Sequence, residues 1–94
     1  MTPEQAAERY LVNYGKRLTA AAKDTADCVE KGQFKDLTDV NDHWVAASKQ
    51  AREDSQQELV DSMNKFLGDE RNKPATEAGP LFRQLQKGFE KRAK

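Results

Sequence analysis

Few side chains in this sequence could carry chemistry, and their spacing decides how much. His43 is the single histidine and Cys28 the single cysteine. Asp39 stands four residues before His43, so on a helix the two share a face and offer two ligands of a zinc or copper half-site. A closed structural zinc site needs four ligands and a catalytic one three. Neither Cys28 nor a second histidine stands at helical spacing from His43 to extend the pair. The plainer reading is a histidine on a helix surface. Cys28 becomes a nucleophile only if His43 approaches it from another element. Its place on an apolar seam reads instead as a small packing residue, and buried thiols are usually inert. One cysteine also excludes an internal disulfide.

Asp54, Glu58 and Asp61 form a strip of carboxylates. Two carboxylates can divide acid and base roles when their environments differ, but these lie far in sequence from His43 and from any glycine-rich loop. Like charges at these spacings mildly destabilise a helix, so the strip requires a basic neighbour. Arg17 across a hairpin, or the C-terminal segment, could supply it. That segment holds Arg83, Lys87, Lys91 and Arg92. Nucleic-acid binders show a more basic domain and aromatics placed for stacking, whereas Phe82 and Phe89 share an apolar stripe with Leu85. Arg9, Lys16 and Lys23, seven residues apart, mark an outer basic face. The candidate sites are therefore protein contacts: Asp54, Glu58, Asp61, Arg83, Lys87, Lys91 and Arg92. No catalytic residue, cofactor or metal ion is assigned, and the chain reads as a non-enzyme.

Two long helices must position these groups. Thr2 is a good N-cap, Pro3 suits the first helical position, and Gln5 completes a capping box. From there Ala7, Leu11, Tyr14, Leu18, Ala21, Thr25 and Cys28 recur at alternating steps of four and three, a heptad seam. Half of its members are small. Gly32 supplies the left-handed residue that ends a helix. Asp36 or Thr38 caps a second helix, whose stripe runs through Leu37, Val40, Trp44, Ser48, Ala51, Ser55, Leu59, Ser62, Met63 and Phe66 to a stop at Gly68. Pro3–Lys31 and Asp39–Leu67 are equally long, each about 43 Å, which favours an antiparallel hairpin. Positions whose numbers sum to about 70 then lie level, with Leu11 against Leu59, Ala7 against Met63, and Trp44 against Ala21, Ala22, Thr25 and Ala26.

The expected fold is all-α. A hairpin over residues 1–68 is followed by a charged linker at 69–79 and a basic amphipathic helix at 80–94, opened by Pro80. Its stripe is Phe82, Leu85 and Phe89. The 94 residues carry 16 basic and 16 acidic side chains, so no global field steers the chain to nucleic acid or membrane. The balance hides a gradient. Residues 36–70 hold three basic and nine acidic residues, a net −6, whereas residues 80–94 hold five and one, a net +4. This predicts docking of the C-terminal helix near Asp54, Glu58 and Asp61. The serine-filled middle of the second helix makes a lone hairpin marginal, so oligomerisation is expected to complete the core around Tyr14, Leu18, Val45 and Val60. No apolar run approaches the roughly 20 residues of a membrane-spanning helix, and the N-terminus lacks the apolar region of a secretory signal. The expected location is cytoplasmic.

The run from Phe34 to Phe66, with Asp36-Leu37, Trp44, the Ala46-Ala47 pair, and Glu58-Leu59 followed by Met63, resembles the phasin family. The alanine-rich stretch from Tyr10 to Glu30 fits the same pattern. The resemblance implies a non-enzymatic, oligomerising helical protein that coats intracellular polyhydroxyalkanoate granules. The acidic second helix, its serines and the basic tail depart from it. The residues themselves point first to a protein-binding module acting through charged helix faces, an adapter, inhibitor or assembly subunit of the kind that phage and plasmids encode. Its partners would be another protein or a second copy rather than nucleic acid, with a membrane or granule surface as the secondary alternative.

Overall fold

The structure, a computed structural model, describes residues 1–68 and 75–93. Helix α1 (Pro3–Glu30) begins where the capping box places it. Gln5 N–H donates to Thr2 Oγ1 at 3.2 Å, and Thr2 N–H donates to Gln5 Oε1 at 2.9 Å, so two otherwise unpaired amides satisfy each other's side chains. The helix ends in a Schellman motif. Gly32 takes φ +71, its N–H donates to Val29 O at 3.0 Å, and Gln33 N–H donates to Cys28 O at 3.1 Å.

Helix α2 (Leu37–Gly68) opens on Asp36, whose Oδ1 accepts from Asp39 N–H at 3.0 Å. Asp36 rather than Thr38 is therefore the cap. Asp39 reaches back to accept from Lys35 N–H at 3.2 Å, which ties the connector to the helix it feeds. The two helices run antiparallel and level as the sequence expects. Asn13 pairs with Glu58, Arg17 with Ser55, and Asp24 with His43.

The interior is built from small groups. Among the described residues the buried apolar side chains are Pro3, Ala6, Ala7, Ala51 and Met63, and Ser55 has no solvent exposure. Leu11, Leu18, Leu59 and Phe66 are half-buried. So is Trp44; the alanines and threonine level with it on α1 leave its large ring room to reach solvent. Leu37, counted in the stripe, is 85% exposed, because it stands at the very start of α2.

The C-terminal helix α3 (Gly79–Ala93) starts one residue before Pro80, and a short 3₁₀ turn (Ala75–Ala78) leads into it. The last stretch of the expected linker is thus helical, while residues 69–74 lie outside the described residues. Helix α3 lies along the N-terminal half of α1 rather than on the acidic flank of α2. Steric fit explains the difference. Gly88 is buried against α1, and a Cβ added there would stand 2.4 Å from Glu4 O and 2.6 Å from Ala7 Cβ. Tyr10 and Phe89 meet edge to face with centroids 5.9 Å apart, an arrangement that aromatic quadrupoles favour. Leu81, Leu85 and Phe89 are half-buried, but Phe82, expected in the docking stripe, is 49% exposed.

The Cα envelope measures 56 × 27 × 18 Å with a radius of gyration of 17.7 Å, against about 12 Å for a compact chain of this length. Helix α1 is the central member, α2 runs its full length, and α3 covers only its first half. Replacing Gly88 by alanine should therefore destabilise the protein by about 1–3 kcal/mol through overpacking. Helix propensity alone would favour the change by about 1 kcal/mol. Thermal unfolding of Gly88→Ala decides between the two signs.

Candidate functional site

The candidate side chains fall into three groups that the fold keeps apart, the first two holding the expected contact residues. The first is the waist of the hairpin. Ser55, one turn after Ala51, donates its hydroxyl to Ala51 O at 2.8 Å and accepts from Arg17 Nη1 at 2.9 Å. Arg17 Nη2 also bonds Glu58 Oε1, and Asn13 Nδ2 donates to Glu58 Oε2 at 3.2 Å. Arg17 is thus the basic partner of the acidic strip, one of the two sources its sequence allowed. Asp54 and Asp61 do not join this network. Each accepts from a glutamine four residues earlier, Gln50 and Gln57 respectively, at 2.8 Å. An open groove between α1 and α2 begins here, lined by Arg9, Tyr10, Asn13, Glu58, Asp61 and Lys65 among others.

The guanidinium of Arg17, and then the Asn13 amide, hold the Glu58 carboxyl below the usual carboxylate range against the opposing cost of desolvation. Bonding to Glu58 raises Arg17 in turn.

The basic helix forms the second group. Lys91 Nζ lies 3.1 Å from a Glu8 oxygen and 3.9 Å from Glu4, so it secures α3 to α1. Arg83 donates to Gln86 at 2.9 Å within its own helix. Lys87 is exposed, and the side chain of Arg92 lies outside the described residues. Among the described residues, the ion pairs of this helix are thus with Glu4 and Glu8 of α1 and not with Asp54, Glu58 or Asp61.

The third group sits near the closed end of the hairpin and was not assembled from the sequence. Asp24 Oδ2 lies 2.9 Å from His43 Nε2. One ligand atom each of Asp24, Cys28 and His43 lies within 4.8 Å of the other two. Asp24 and Cys28 are four residues apart and share a face of the last turns of α1; the loop returns His43 opposite them. Phe34 rests on the imidazole with ring centroids 5.3 Å apart. Asp39, the helical neighbour weighed as a ligand beside His43, instead serves the Lys35 amide. Helical spacing is the wrong test for Cys28, because its approach to His43 crosses the hairpin. The level-position rule places the two side by side, and that was the available signal.

No family model, characterised protein or solved structure matches this chain.

The depressed Glu58 pKa links the waist to pH. Its contribution to stability is complete above the unfolded carboxylate value of about 4.3 and is lost as pH falls through the lower folded value. Glu58→Gln should therefore be less stable than the parent near neutral pH, and the gap should close on acidification. Parallel denaturant titrations across the acid range measure it.

Proposed function

We propose that this chain is a non-catalytic protein-binding module, an adapter, inhibitor or assembly subunit that works through its helix faces. One observation carries the reading: the hairpin beyond the reach of α3 is a bare two-helix ribbon. Val45 on that ribbon is 52% exposed. A shallow depression there is lined by Tyr14, Val45, Ser48, Lys49 and Arg52. Apolar surface returns about 25 cal/mol per Å² when covered, and in a chain whose buried apolar residues, among those described, are a proline, three alanines and a methionine that return is large relative to its own core.

The mixed character of the strip suits a helical protein partner. Lys49 and Arg52 rim Tyr14 and Val45, giving the apolar centre and polar rim of an ordinary interface. A second copy of the chain is the simplest such partner, since an isologous contact would set the same strip against itself. Among the described residues no helix is long and apolar enough to cross a membrane, which agrees with action through side faces. A cytoplasmic setting belongs to the same proposal.

The phasin-like alternative keeps the exposed strip and changes its occupant to a polyester surface. Light scattering at micromolar concentration should report a dimer or larger species, and Val45→Asp should return it to monomer with helical content intact. A monomer at every concentration would sink self-association and leave the hetero-partner form. Avid binding to polyhydroxyalkanoate particles that Val45→Asp abolishes would favour the granule coat instead.

A further inference from the structure

We propose that Asp24, Cys28 and His43 form a binding site for one thiophilic divalent cation, zinc foremost, near the closed end of the hairpin. The donor set is the first argument. A sulfur, an imidazole nitrogen and a carboxylate oxygen are the three ligand types that zinc takes from proteins. With one thiolate and one carboxylate, the set neutralises a doubly charged ion and leaves the imidazole neutral.

Geometry is the second argument. Bond lengths of about 2.0–2.3 Å place neighbouring ligand atoms of a tetrahedral zinc site about 3.3–3.6 Å apart. The three atoms lie within 4.8 Å of one another, and the Asp24–His43 pair stands at 2.9 Å. The Asp24–His43 pair has to open slightly and the wider pairs to close, adjustments of the kind that side-chain torsions supply. The backbone is held firmly on both sides of the loop. The Schellman closure uses the Cys28 carbonyl and leaves its thiol free to turn. Asp36 fixes the start of α2, and Phe34 limits the swing of the imidazole. A cation there also meets the negative end of the α1 dipole, while Asp36 and Asp39 offset the positive end of α2.

On binding, Sγ forms a bond to the ion and releases its proton to solvent. His43 Nε2, which holds a proton toward Asp24 Oδ2, gives that proton up to solvent, the neutral ring keeping its one proton on Nδ1, so that the Nε2 lone pair and the Asp24 carboxylate both bond the ion. Three protein ligands leave one position open to water or to a side chain of a partner.

The test uses the full chain, reduced and metal-free, titrated with cobalt(II) and then with zinc(II). The expected result is a sulfur-to-cobalt charge-transfer band that saturates at one ion per chain and is bleached by zinc. Cys28→Ser should abolish the band. His43→Ala and Asp24→Asn should weaken binding by about tenfold or more, since even residues behind the ligands cost that much. Asp39→Asn should bind as the parent does, which separates this site from the intrahelical Asp39–His43 pair. Circular dichroism checks that each variant stays helical, and Cys28→Ala provides a second thiol-free chain should the serine variant misfold. Absence of the band, its survival in both Cys28 variants, equal weakening by Asp39→Asn, or saturation at one ion per two chains would overturn the proposal.

Discussion

The fold depends on one polar crossing, the reach of Arg17 from α1 to Ser55 and Glu58 on α2. Two long helices lined with alanine and serine have little shape by which to choose among registers, since one small side chain slides past another with similar contact. A guanidinium seated on a fully buried hydroxyl and a carboxylate has one good position. Displacing it by a turn would strand the Ser55 oxygen against an apolar neighbour and pull a pair of opposite charges apart. Exposed ion pairs contribute about 0–1 kcal/mol, so the crossing bears on which register forms more than on how strongly the helices pack. The half-exposed setting of Arg17 and Glu58 keeps the desolvation cost low.

The other cross-hairpin contacts inherit that register. Asn13 follows Arg17 onto Glu58. At the closed end, His43 is carried opposite Asp24 and Cys28 because the Schellman turn and the Asp36 cap allow only a short connector between two helices already set level. Local capping thus decides where each helix stops and starts, and the waist decides how they slide. The Asp24–Cys28–His43 cluster requires both.

Much of this is legible in the sequence because it is governed by neighbours in the chain. Thr2 with Gln5, Gly32 and Asp36 mark helix ends through bonds spanning two to five residues. The level-position rule places Cys28 near His43 and brings Arg17 to the acidic strip at Asp54, one turn short of its partner Glu58. What escaped has another origin. The seat of α3 was inferred from charge, with a basic helix assigned to the most acidic neighbour. Exposed ion pairs are worth about 0–1 kcal/mol, too little to overrule shape, and the shape lies in Gly88, a residue without a side chain that a hydrophobic-pattern reading passes over. Its partner Ala7 is equally inconspicuous. Trp44 is half-buried for a related reason: pairing large with small allows contact, but an open two-helix ribbon has no third wall to finish enclosing the ring.

Placing Gly88 against Glu4 and Ala7 also sets an order of events for the chain. These contacts join residues more than eighty positions apart, whereas the hairpin closes through a connector of a few residues. Closing a loop costs entropy that grows with its length, and topologies rich in near-neighbour contacts form fastest. The hairpin should therefore assemble first, with Ala6 and Ala7 waiting uncovered until α3 arrives, and pulsed hydrogen exchange would show α3 amides protected after those of α1 and α2. Until that moment the apolar flank of α1 is open along its whole length. In the finished fold, α3 locks the open end of a hairpin whose other end is already closed by its own connector.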